Sequence, residues 1–191
     1  MIAGAVLVPV TALTSAAQAP KPVLTASILT ASQRRILEAF ADRLVPHDEY
    51  GPSASECGVV DYIERSLGDY LAQEKPAVAR GLAAVDVFAR STHGSPFAEL
   101  APATRDQVLE AMENNMAAGF SPDSRTFFLR VRQLTLEGMF GDPFYGGNRN
   151  FAGWDLIRYP GARLAVSPEE QKIIVAIKPV RASAYGGSHG H

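Results

Sequence analysis

The chain has 191 residues, with 18 basic against 20 acidic side chains for a formal charge of −2, and 47 % of it is hydrophobic. That length suits one domain able to bury a real core, and the composition excludes a disordered or collagen-like chain. The near balance of charge argues against a nucleic-acid or anionic-membrane surface, which needs a clustered basic excess.

Residues 2–16 carry no charge, and Ala17-Gln18-Ala19 follows them as an A-x-A cleavage pattern. The run is short for a membrane span and suits the apolar region of a signal peptide, so residues 1–19 are read as an export signal. No basic segment precedes the run, which this reading attributes to a start site placed downstream of one. The remainder, 20–181, reads as a single helical domain, with 182–191 as a flexible tail.

Thr30-Ala31-Ser32-Gln33 forms a capping-box pattern ahead of Ile36, Leu37, Phe40 and Leu44 at helical spacing, and Pro46 stops that helix. Val59, Ile63, Leu67 and Tyr70/Leu71 make a second stripe. Val78, Leu82, Val85 and Ala89 make a third, just after Pro76. Thr104-Arg105-Asp106-Gln107 repeats the box before Val108, Met112 and Met116. Ser121-Pro122-Asp123 reads as an N-cap, a first-position proline and an early acid before Phe127, Phe128, Val131, Leu134 and Thr135. Five helices follow, the last expected to be the longest and most aromatic. No stretch alternates with period two between hairpin turns, so the expected fold class is all-α: an irregular bundle of about five helices.

From Gly138 to Gly161 the character changes: GMFGDPFYGGNRNFAGWDLIRYPG is rich in glycine, holds the chain's only Trp and shows no helical stripe. A loop this long is usually functional or disordered. Phe140, Phe144, Tyr145, Phe151, Trp154 and Tyr159 are too apolar to stay solvated, so the loop is expected to pack on the bundle or on a partner. Gly146, Gly147 and Gly153 allow positive φ or close backbone approach. Beyond it, Ser167-Pro168-Glu169-Glu170 announces a short C-terminal helix with Ile173, Ile174 and Ile177, stopped by Pro179.

The single Cys57 excludes an internal disulfide, a self-contained iron–sulfur cluster and a C-x-x-C-H haem attachment. It reads as a buried free thiol or an intersubunit partner, without a neighbouring base that would make it catalytic. No G-x-G-x-x-G or P-loop motif occurs, so any redox cofactor is expected on another chain. His47, His93, His189 and His191 read as a polar turn after Pro46, a helix-end residue and two tail residues, with no metal site among them. No G-x-S-x-G elbow supports a serine triad. Asp142, Asn148 and Asp155 are the polar candidates for a sugar site beside aromatic rings; the competing reading is that they fix the loop's own turns through Asx hydrogen bonds.

The stretch Phe140-Gly141-Asp142-Pro143-Phe144-Tyr145-Gly146-Gly147-Asn148, followed by Gly153-Trp154-Asp155-Leu156-Ile157-Arg158-Tyr159-Pro160-Gly161, closely resembles the pattern of the gluconate 2-dehydrogenase subunit 3 family. Ala41-Asp42-Arg43-Leu44-Val45-Pro46 through Gly58-Val59-Val60-Asp61-Tyr62-Ile63 resembles that family's first block, and the likeness spans roughly Gln33 to Gly161. These are the small, or gamma, subunits of bacterial membrane-associated FAD-dependent sugar and polyol dehydrogenases, acting on gluconate, glucose, fructose or sorbitol.

The resemblance implies a chain without catalytic, cofactor or metal residues. FAD would sit in a large subunit of the glucose–methanol–choline oxidoreductase type and haem c in a multihaem cytochrome subunit. The small subunit would escort the large one by twin-arginine export and remain with it at the periplasmic face of the inner membrane. No Arg-Arg stands ahead of the apolar run 2–16, where such a signal carries it, which leaves the start site and the export route open. The residues expected to meet the partner, within a binding loop 138–161, are Asp142, Pro143, Tyr145, Gly146, Gly147, Asn148, Trp154 and Tyr159. The alternative class is an autonomous periplasmic sugar-binding module.

Overall fold

The computed structural model describes residues 27–163, 165–172 and 177–185; the expected export signal and His189 and His191 lie outside them. Among the described residues there are six α-helices and no strand: α1 (Ala31–Leu44), α2 (Val59–Gly68), α3 (Lys75–His93), α4 (Pro102–Glu113), α5 (Ser124–Phe140) and a short α6 (Ala152–Leu156). The all-α expectation and the five bundle helices therefore stand, and α6 falls inside the loop that showed no helical stripe.

The capping box at α1 is complete. Thr30 Oγ1 accepts from the Gln33 N–H at 3.2 Å and Gln33 Oε1 accepts from the Thr30 N–H at 2.9 Å. Between them they satisfy two of the donors a helix start leaves without partners. The helix then buries Ile36, Leu37, Phe40 and Ala41. α1 lies against α2, α3, α4 and α5, and α5 packs on α2 and α4. The core closes around Phe40, which is wholly buried and meets Phe97 and Phe128 at ring-centroid distances of 6.3 and 5.8 Å. Each such large side chain removed from water stabilises the fold by about 1.5–3 kcal/mol.

Several boundaries differ from expectation. α4 begins at Pro102, not after Thr104, because proline occupies the first turn at no cost in lost N–H bonds; Thr104 lies inside the helix, its N–H on the Ala101 carbonyl. Asp123, not Ser121, caps α5: its carboxylate accepts from the Thr126 N–H at 2.8 Å and the Thr126 hydroxyl at 2.9 Å, bonds that hold its pKa below the usual range. α3 is the longest helix, at 19 residues against 17 for α5. Tyr70 and Met116 fall beyond the ends of α2 and α4, and both are exposed.

At the C-terminus, Pro168–Gln171 form a turn in place of the start of a helix, and residues 173–176 lie outside the described part. The expected tail is docked at its beginning. Ser183 is buried and the Ala184 N–H donates to Asp142 Oδ2 at 2.8 Å, since the loop offers both a carboxylate and aromatic rings for this segment to cover.

Candidate functional site

The loop after α5 is built on the carbonyls that end that helix. Asn148, fully buried, donates its backbone N–H to the Gly138 carbonyl at 2.7 Å and its side-chain amide to the Gly141 carbonyl at 2.8 Å, and its Oδ1 accepts the Gly153 N–H at 2.9 Å. Trp154, also buried, donates its indole N–H to the Phe140 carbonyl at 2.9 Å. These contacts require backbones to touch. A Cβ on Gly147 would sit 2.1 Å from the Gly138 oxygen, and one on Gly153 would sit 1.8 Å from the Met139 oxygen. Only glycine fits at either place.

Asp142 starts a 3-10 turn, Pro143–Tyr145, by accepting the Phe144 N–H on Oδ1 at 2.8 Å. Its other oxygen takes Ala184, as above. Asn148, Asn150 and Phe151 then adopt left-handed backbone at φ 46°, 57° and 61°. Such a conformation is costly for an aromatic residue. It is held by the burial of Phe151 and by its ring against Trp154, 5.2 Å between centroids. Tyr159 closes the far side, its ring 4.9 Å from Trp154 and its N–H on the Trp154 carbonyl at 2.7 Å.

The expected site residues thus divide in two. Pro143, Gly147, Asn148 and Trp154 are buried and face their own chain, and Asp142 has both oxygens engaged within it. Tyr145 and Tyr159 keep 41 % and 40 % of their surface exposed. Tyr145 forms a cluster with Phe144 and Tyr185, and its hydroxyl donates to that of Tyr185 at 2.9 Å, which raises the Tyr145 pKa. Asp155 Oδ2 is paired with Arg181 at 2.6 Å. A cleft of about 320 Å³ lies between Leu44–Pro46, Tyr50, Phe140 and Leu156, and a second of about 190 Å³ lies beside Arg35 and Arg90. Asp142, Asn148 and Asp155 line neither, and the hydrogen bonds of Asp142 and Asn148 are those of the turn-fixing reading.

The loop is tied to α2 by contacts the sequence did not reveal. The Arg149 N–H donates to the Cys57 carbonyl at 2.9 Å, and its guanidinium pairs with Asp61 at 2.7 Å. Asp61 also receives Arg34 from α1 at 2.7 Å, and Arg34 reaches Glu64 in addition. Burial works against the Arg34 charge, but the hydrogen bonds and charges of Asp61 and Glu64 outweigh it and raise its pKa. Glu64 is buried and also accepts the Ser27 hydroxyl at 2.8 Å and the Leu29 N–H at 3.0 Å. Cys57 is a free, buried thiol, and burial pushes its pKa up to about 11. On the other side of α2, the Tyr62 hydroxyl bonds that of Tyr70 at 2.8 Å and donates to Glu137 Oε2 at 3.0 Å. Partners 75 and 88 residues apart, as in Tyr62–Glu137 and Asp61–Arg149, leave no local spacing signal.

No helix among the described residues is long and apolar enough to cross a membrane. No curated protein and no solved structure matches the chain. The model of the family described as Gluconate 2-dehydrogenase subunit 3 matches residues 31–161, from the first residue of α1 to the last glycine of the loop. That span contains the whole bundle and the helix-ending loop built on it, and by it the chain belongs to the gluconate 2-dehydrogenase subunit 3 family.

Proposed function

We propose that the chain is the non-catalytic small subunit of a membrane-associated FAD-dependent sugar or alcohol dehydrogenase, needed for the export, folding and stability of the large flavoprotein subunit. The coarser part, an accessory subunit of a dehydrogenase complex, follows from the family. In the finer reading FAD belongs to the large subunit, haem c to a cytochrome subunit, and the complex works at the periplasmic face of the inner membrane.

The observation that carries the reading is the loop 138–161. Its buried half is spent on fixing its own shape, and two rigid rings, Tyr145 and Tyr159, are left half-exposed on that frame. Aromatic side chains with a polar handle, held before binding, are what protein interfaces use as anchors. The test is deletion of this chain, followed by localisation of the flavoprotein and assay of dye-linked dehydrogenase activity. The flavoprotein is expected to stay in the cytoplasm and lose activity; export at the parental level without this chain would overturn the proposal.

A further inference from the structure

Arg65 stands in the last turn of α2, exposed, and lies across the loop: a Cβ on Gly146, whose φ is 103°, would sit 2.9 Å from the Arg65 guanidinium carbon. Among the described residues it has no hydrogen bond or ion pair. The acids of α2, α5 and the loop named above are engaged with other groups. Asp61 holds Arg34 and Arg149, Glu137 holds Tyr62 and Gln133, and Asp142 holds two backbone N–H groups. Asp69, one turn along α2, does not pair with it.

Three exposed tyrosines belong to the same region: Tyr145 precedes Gly146 in the chain, Tyr185 packs on Tyr145 with 5.6 Å between ring centroids, and Tyr70 follows α2. Tyr70, Tyr145 and Tyr185 are 61 %, 41 % and 52 % exposed. Each hydroxyl is already fixed by another phenol, Tyr70 by the buried Tyr62, and Tyr145 and Tyr185 by one another. Tyr70 is close enough to Tyr145 to raise its pKa. Rings held in place before binding lose little freedom on contact, and Tyr with Arg is the composition of interface centres.

We infer that Arg65, with Tyr70, Tyr145 and Tyr185, forms a docking face for a carboxylate-bearing segment of the flavoprotein subunit, an inference that rests on the subunit reading above. Covering an unpaired guanidinium is strongly unfavourable. The covering partner must therefore bring an anion, and the planar fork of arginine takes a carboxylate through two parallel hydrogen bonds. The face is continuous with the loop through Tyr145 and Gly146. Its competing occupant is a second copy of this chain, using Asp69.

The test titrates the full chain against the purified flavin-containing subunit of the dehydrogenase, for the parent and for Arg65→Glu, Tyr70→Ala and Arg65→Lys. Arg65→Glu and Tyr70→Ala are expected to weaken binding at least about tenfold, with helical circular dichroism unchanged. The amine introduced by Arg65→Lys is expected to condense, under a water-soluble carbodiimide, with an Asp or Glu of the flavoprotein; an amide forms and the carbodiimide takes up the water as a urea. Parental affinity in Arg65→Glu and Tyr70→Ala, or a cross-link joining two copies of this chain, overturns the docking face alone. No binding by the parent chain overturns the subunit reading and this inference with it.

Discussion

Asn148 and Gly153 are locked together across the loop, the side-chain oxygen of one taking the N–H of the other at 2.9 Å while the same amide grips the Gly141 carbonyl. Asn148→Ala leaves a buried donor without its partner, at about 1–3 kcal/mol, and a partly buried acceptor at the low end of that range, so a loss of about 2–4 kcal/mol is expected in urea unfolding. Asn148→Asp keeps the acceptor but sets a carboxylate against the Gly141 oxygen, and a comparable loss is expected. A loss below about 1 kcal/mol in both variants would mean that the loop frame does not depend on this residue.

Trp154 and Tyr145 separate shaping from contact. Trp154→Ala empties a buried site and removes the bond to Phe140, for an expected destabilisation of about 3–5 kcal/mol. Tyr145 is partly exposed, and Tyr145→Ala is expected to leave the unfolding midpoint nearly unchanged while weakening association with the flavoprotein by about 2 kcal/mol. Equal stability losses in the two variants would contradict this division.

Glu64 binds the segment that enters α1. Glu64→Ala strips acceptors from Ser27, Leu29 and Arg34 together. Because Arg34 is itself about one-third exposed, the expected cost is about 2–3 kcal/mol, below that of a fully buried pair. Faster proteolytic cleavage near residue 29, read by mass spectrometry, is the local signature. Glu64→Gln should recover part of the loss by keeping an acceptor for the Leu29 N–H.

The Cys57 thiol, with its pKa pushed up to about 11 by burial, holds roughly 0.01 % thiolate at neutral pH. Iodoacetamide is expected to leave it unmodified in the native chain and to label it fully in denaturant. Native labelling at the rate of a free thiol would show that the α2 entry opens readily.

His47 and Glu56, both exposed, pair at 2.8 Å. The hydrogen bond to Glu56 raises the His47 pKa above 6.5, and the same bond lowers that of Glu56 below 4.5. The His47 contribution is complete below its unfolded value and is lost as pH rises through the raised folded value. The Glu56 contribution is present above its unfolded value and is lost as pH falls through the lowered one. The pair therefore acts between those two limits. An NMR titration is expected to place the His47 midpoint above 6.5 and to bring it back down toward 6.5 in Glu56→Gln.

The bundle was legible because its signals are local. The Thr30 box, Pro46, Pro76 and the stripes of Ile36–Phe40 and Val59–Leu67 each act within a turn or two. The errors at Thr104 and Ser121 arose where a proline competed with a capping pattern for the helix start, and the proline in one case and Asp123 in the other set it. The loop was legible as something packed but not as a shape. Its frame is made of single bonds to backbone carbonyls, and α6 is too short to show a stripe. Arg65 and Glu64 carried no signal, because their partners, or the lack of them, come only with the fold. Tyr185 was hidden the same way, in a segment whose composition reads as tail.

The carbonyls of Gly138, Phe140 and Gly141 are those that any helix leaves bare at its end, and the loop supplies a donor to each. The aromatic and glycine-rich motif is thus the terminator of α5 as well as a surface. A descendant of this chain that no longer met a dehydrogenase would still be held to Asn148, Gly153 and Trp154, because without them α5 would fray from its end inward. Persistence of that motif in a sequence marks how this bundle closes.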